Sequence, residues 1–304
     1  MVNTAAPKSK YNRTPIEDRI LYVVVNLIII LTSLIILYPL MFVLSSAFSS
    51  PAAVSSGKVL LFPVDFSLRG FQAVFSYNNV LSSFGNSVFY TVAGTVINMA
   101  MTLICAYPLS RKDCPFRNTI MGLFTFTMFF SGGLIPFYML MARLGFVNTI
   151  WSILLPGAIS VYNMIVTRTF ISSTIPGELL EAAQIDGCSD ARFFFEFVLP
   201  LSKPVIAVIA LYYGAGHWNA YFNAMMYLND PKLYPLQLVL RDILISNQFN
   251  MNEMTDPALI AANMGMQDLL KYSLIVISSA PLMVAYPFVQ KHFIKGVMLG
   301  SVKG

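Results

Sequence analysis

Two groups of residues in this 304-residue chain have types and spacing suited to chemistry. The first is the stretch 181–200, EAAQIDGCSDARFFFEFVLP, which holds Glu181, Asp186, Asp190 and Glu196, four of the fourteen acidic residues. The second is Tyr213, His217, Trp218, Asn219 and Asn223, which combine aromatic faces with imidazole and amide hydrogen-bonders. Such a set suits a solute with C–H faces and hydroxyl edges. A phosphate-cradling GxxxxGK[ST] loop is absent from the sequence, so the chain has no nucleotide site of that kind. The three cysteines, Cys105, Cys114 and Cys188, lack ligand spacing and read as reduced structural thiols, and no metal site is expected.

The elements that position these groups follow from composition. The chain is 57% apolar and 11% charged, against about 25% charged residues in soluble domains. Long neutral gaps separate the charges, each with room for the roughly 20 apolar residues that cross a bilayer. Six helical spans are expected near 20–44, 84–108, 118–141, 149–169, 204–228 and 272–291, giving an all-α polytopic membrane protein. The remainder divides into an N-terminal segment 1–19, loops 45–83, 170–203 and 229–271, and a tail 292–304. Thirteen of the nineteen Lys and Arg residues fall in the termini, the loop RKDCPFR (111–117) and 168–203. That asymmetry puts both termini and 170–203 in the cytoplasm and 45–83 and 229–271 outside. It also accounts for the net charge of +5 without nucleic acid. The spans contain no Asp or Glu, which speaks against an ion-coupled carrier.

Within the cytoplasmic loop, Thr174 and Pro176 are expected to open a short helix that Gly187 ends, and Ser189 and Asp190 to open a second. Pro200 and Pro204 would then separate that helix from the fifth span. Ala182, Ala183 and Gly187 allow close approach to a partner, while Phe193, Phe194, Phe195 and Phe197 anchor the loop to the bundle. His217 is the fourteenth residue of the neutral stretch 204–229, which places it near midplane. Two roles stay open for it: lining a solute path, or an interhelical hydrogen bond. Ser131, Gly132 and Gly133 read as a close-packing site, with a helix break as the alternative.

The spacing Glu181-Ala182-Ala183, three residues, Gly187, nine residues, Phe197, one residue, Leu199-Pro200 resembles the EAA loop of permease subunits of bacterial ATP-binding-cassette importers. That family usually has Ile at Phe197 and often Ala at Cys188. FFSGGLIPFY (129–138), GHWNAYFNAMMYL (216–228) and the tail FVQKHFIKGVMLGSVKG (288–304) resemble the maltose-type permeases, most of all oligosaccharide permeases of Gram-positive bacteria. The resemblance implies a type I importer fold and a non-catalytic subunit in the cell membrane. The partners it implies are a second homologous permease, two ATPase subunits and an extracellular solute-binding lipoprotein. ATP and Mg would then sit on the ATPase, with no cofactor on this chain, and the cargo would be an oligosaccharide. Glu181, Ala182, Ala183, Asp186, Gly187, Leu199 and Pro200 are the implied coupling residues. Lys295, Gly296, Gly300 and Lys303 belong to a tail that would reach the ATPase dimer. A non-sugar cargo on the same architecture remains the alternative.

Overall fold

The computed structural model describes residues 16–77, 79–252 and 257–301, with side chains over 18–77, 79–246 and 265–287. Helices account for most of the described residues, and no strand occurs among them. Three are long and apolar enough to cross a membrane unaided: Asp18–Ala47 of α1 (Ile16–Ala47), α4 (Val80–Ser110), and Gly265–Pro287 of α15 (Pro257–Ser301). Between α1 and α4 lie the short α2 (Pro51–Ser55) and α3 (Arg69–Phe75).

The expected span 118–141 is instead two helices, α5 (Arg117–Phe129) and α6 (Leu134–Arg143), which meet at 113°. Gly133 makes the corner with φ +82° and ψ 171°, a region essentially confined to glycine. A Cβ added at Gly132 or Gly133 would meet nothing within 4 Å. This corrects the close-packing reading of Ser131-Gly132-Gly133: the glycines serve a turn. The expected span 149–169 is likewise α7 (Trp151–Leu154) and α8 (Val161–Thr174), parted by LPGAIS with Gly157 at φ +74°. Expected span 204–228 divides into α12 (Lys203–Asn219) and α13 (Phe222–Tyr227).

The segment 177–201 holds α9 (Gly177–Ile185), α10 (Asp190–Phe193), one π-helical turn over Phe194–Val198 and α11 (Leu199–Leu201), which bends 79° into α12 at Ser202. After α13, a 3-10 turn at Pro231–Leu233 leads into α14 (Leu236–Asn252). The two expected outer loops therefore carry helices, and they share a core. Val74 and Val80 meet Trp218, Leu236, Leu240, Ile243, Leu270 and Leu274 there. Small residues let these pieces close: a Cβ at Gly70 of α3 would lie 2.2 Å from Ser273 Oγ on α15.

A second cluster sits at the other end of α4. Ala106, Tyr107 and Leu109 pack with Met164, Ile171, Ala183, Phe193 and Val198, joining α4, α8 and the 177–201 segment. Cys105, Cys114 and Cys188 are free thiols packed against it.

Candidate functional site

The stretch EAAQIDGCSDARFFFEFVLP is a helix–turn–helix held at each joint by identifiable bonds. At the end of α9, Gly187 N–H donates to Gln184 O at 3.0 Å and Cys188 N–H donates to Ala183 O at 2.9 Å. With Gly187 at φ +77°, this is a Schellman end, in which glycine takes the left-handed position without steric cost. Ser189 then caps α10 by accepting from Arg192 N–H at 3.3 Å. The expected start differs. Thr174 is the last residue of α8, and Pro176 precedes α9 with no side-chain cap, because α8 runs longer than its apolar stretch.

Helical spacing sorts the motif into two faces. Ala183, expected to approach a partner, is instead buried against the second cluster, because it falls on the inner face of the helix, while Glu178, Glu181, Ala182 and Ile185 lie on the exposed side. Ile185 is 87% exposed, an apolar side chain on an otherwise polar surface. Asp186 and Gly187 are exposed at the turn, Leu199 is half-buried and Pro200 exposed. Phe193 is buried and stacks on Phe197 at 5.2 Å, and Phe194 packs against the same cluster. Phe195, expected to help anchor the loop, is 64% exposed, since it projects from the π turn away from the cluster.

Arg111, just past α4, ties this unit to the body of the protein. Its guanidinium donates to both Asp113 oxygens, to Asp190 on α10 and to the Tyr107 hydroxyl. These partners hold the Arg111 pKa above its usual range, and the guanidinium holds the Asp113 carboxyl below the ordinary carboxylate range. A cavity of about 600 Å³ lies beside the clamp, walled by Arg111, Lys112, Ser172, Glu178, Glu181 and Gln184.

The second site is a cavity of about 440 Å³ among α4, the α7–α8 break, α12 and α13. Tyr213, His217 and Asn223 line it. The Tyr213 hydroxyl accepts from Ser160 N–H at 3.0 Å and lies 2.7 Å from Thr102 Oγ1, fixing the start of α8. His217 Nε2 lies 2.6 Å from Asn98 Oδ1. The ring fits only because residue 94 is glycine: a Cβ there would sit 2.4 Å from His217 Nε2. Trp218 does not line the cavity. Its indole N–H donates to Ser278 O at 2.8 Å and its ring packs on Phe84 in the outer core. Asn219 also points elsewhere, donating to Ala215 O of its own helix at 2.9 Å. Lys295, Gly296 and Gly300 lie in the part of α15 whose side chains are outside the described residues, and Lys303 is outside them altogether.

Sequence reasoning missed Asn98, Ser160, Asn163 and Ile185. Asn98 carried a signal, as an amide within an apolar stretch, and Ile185 another, four residues after Glu181 on the same helix face.

A membrane-embedded permease unit, with an outward-facing EAA helix and a polar cavity where spans unwind, is the class this architecture defines. The chain belongs to the family of binding-protein-dependent transport system inner membrane components, which matches residues 5–298, and it is a multi-pass membrane permease of the sugar ABC transporter group. It is 38% identical over 288 residues to the polygalacturonan/rhamnogalacturonan transport system permease protein YtcP of Bacillus subtilis, covering 95% of this chain and 100% of that one. It is 40% identical over 271 residues to the protein LplC of the same organism, covering 89% and 90% of the two chains. Its fold matches a chain of a crystal structure of a bacterial ABC transporter involved in the import of the acidic polysaccharide alginate. There the TM-score is 0.80 and the identity 31%, over 92% of this chain and 98% of that chain.

Proposed function

We propose that this chain is one of two homologous permease subunits in an ATP-driven importer of oligosaccharides. The fold crosses the membrane six times, through α1, α4, α5–α6, α7–α8, α12–α13 and α15, with both termini in the cytoplasm. The bias of Lys and Arg toward 111–117, 168–203 and the termini supports that orientation. ATP and Mg are held by two separate ATPase subunits, an extracellular binding protein delivers the cargo, and this chain performs no chemistry. Closure of the ATPase pair carries the α9 helices together and converts the permeases between inward- and outward-facing states. Lys295, Gly296, Gly300 and Lys303 extend that contact through the C-terminal tail. The cargo class is supported by the relatives, whose names refer to polygalacturonan, rhamnogalacturonan and alginate.

One observation carries this reading. The outward face of α9 presents Glu181, Ala182 and the 87%-exposed Ile185, while its inner face is packed and its C-terminal end is held by the Gly187 turn. A rigid helix with an empty apolar spot suits a groove on another protein. The test is co-purification and cargo-stimulated ATP hydrolysis after Glu181→Lys and Gly187→Val. Loss of complex or of stimulation is expected. An intact complex with undiminished coupled hydrolysis would overturn the docking role.

A further inference from the structure

Asn98 is 2% exposed, and both ends of its amide are engaged. Its Nδ2 donates to the carbonyl of Gly157 at 2.9 Å, inside the α7–α8 break. A backbone carbonyl can only accept. The amide is therefore locked with its NH2 toward Gly157 and its oxygen toward His217, 2.6 Å from Nε2. An oxygen facing that nitrogen requires Nε2 to carry the proton. In a neutral imidazole the other nitrogen, Nδ1, is then a bare acceptor. Among the described residues Nδ1 has no protein partner, and His217 lines the cavity.

We infer that Asn98 is a positioning residue that fixes the His217 tautomer, so that Nδ1 accepts a hydrogen bond from a cargo hydroxyl. The inference rests on the importer reading above and names the chemistry of its cavity. The neighbouring wall agrees with a hydroxyl-reading site: Ser160, Asn163 and Asn223 add neutral hydrogen-bonding groups, and Tyr162 and Tyr212 add ring faces. No Asp, Glu, Lys or Arg lines this cavity among the described residues. A carboxylate on the cargo finds no counter-charge here. The uronate-type sugars named for the relatives would therefore be gripped in this subunit by their hydroxyls, and their acid groups would be read elsewhere in the transporter.

The experiment uses the complete transporter with its binding protein in proteoliposomes. The paired probes are trigalacturonate and its full methyl ester, which share hydroxyls and differ in charge. His217→Phe removes the acceptor and should slow uptake of both probes equally, by about five- to tenfold, the worth of one hydrogen bond. His217→Gln keeps a donor for Asn98 and an acceptor for cargo, and should recover most of that loss. Asn98→Leu and Gly94→Ala leave the imidazole in place chemically but free or displace it, and should reproduce the His217→Phe loss. The second readout is the 15N spectrum of histidine-labelled transporter, with His217 identified by difference from His217→Gln. It should show a neutral ring protonated at Nε2, and Asn98→Leu should convert it to a tautomer mixture. A loss confined to the acidic probe, unchanged uptake in an active complex, or a ring protonated at Nδ1 would each overturn the inference. Should the wild-type transporter hydrolyse ATP yet move neither probe, the cargo class proposed above falls, while the spectrum still decides the tautomer.

Discussion

Under the proposed mechanism Arg111 is the joint that would carry movement of α9 and α10 to α4, and severing it should uncouple ATP hydrolysis from uptake without releasing the ATPase. The guanidinium is 15% exposed, whereas Asp190 and Asp113 are 64% and 61% exposed. A hydrogen bond to a charged group contributes about 1.5–3 kcal/mol when shielded, and an exposed ion pair only about 0.2–1 kcal/mol. With one partner buried and the other in water, the Arg111–Asp190 pair falls between, at about 1–1.5 kcal/mol, or roughly five- to twelvefold in an equilibrium. The assay is cargo moved per ATP hydrolysed in Arg111→Leu, Asp190→Asn and the double variant. Each single change should lower that ratio about five- to tenfold, with the double no worse than the worse single. Arg111→Lys should be intermediate, because an ammonium lacks the planar fork that reaches Asp113 and Asp190 together. ATPase co-purification should be unchanged, since the exposed face of α9 is untouched. The pH sign is also fixed. Arg111 depresses the Asp113 carboxyl, so that contribution is complete above the unfolded carboxylate pKa of about 3.9 and fades only as pH falls through the lower folded value. The coupling ratio should therefore be flat from about pH 6 to 8 as far as this clamp is concerned. Losses that multiply in the double variant would refute the clamp.

Ile185→Ala should weaken ATPase docking about five- to thirtyfold, since burying most of an isoleucine contributes about 1–2 kcal/mol more than burying alanine; titration of purified ATPase into permease measures this, with permease thermal stability unchanged. Gly133→Ala forces a side chain into backbone that only glycine tolerates, a cost of about 1–3 kcal/mol. It should lower both the melting temperature and uptake, whereas Gly122→Ala, on the α5 helix with open space around it, should do neither. Gly70→Ala places a Cβ within 3 Å of Ser273 Oγ and Leu269 Cγ, so overpacking should cost about 1–3 kcal/mol in the outer core. Adding Ser273→Ala should return part of the lost melting temperature.

The membrane class, the α4 span and the helix–turn–helix of 177–201 were legible because each rests on a signal local in sequence. Long charge-free runs mark α1 and α4, and Gly187 followed by Ser189-Asp190 marks the turn, whose capping bonds the structure displays. The motif's two faces were less so: Ala183, expected beside Ala182 on the partner side, is buried in the chain's own cluster, and the exposed Ile185 was missed. The Arg111 clamp was not, because Arg111 and Asp190 are 79 residues apart. Trp218 and Asn219 show the same limit from the other side. Both adjoin His217 in sequence, yet helical geometry sends the indole to α15 and the amide back to Ala215.

The broken spans are the deeper case. Window hydropathy counts apolar residues and is blind to direction, so 118–141, 149–169 and 204–228 each pass as one helix. Their glycines were visible, but glycine in a membrane span has two opposite uses: close packing of straight helices, or a turn that ends one. Surroundings decide between them. A Cβ at Gly94 would strike the His217 ring, whereas one at Gly133 or Gly157 would meet nothing within 4 Å, and both of those have positive φ. Gly94 is thus a packing glycine, and the other two are turn glycines. The distinction bears on function, because freed backbone groups at membrane depth must find partners in the protein or in a cavity. The Gly157 carbonyl finds the amide of Asn98, and the Ser160 N–H finds the hydroxyl of Tyr213. Two of the three breaks, at 155–160 and 220–221, border the same cavity. The unwinding that hydropathy could not register is what opens the space beside His217.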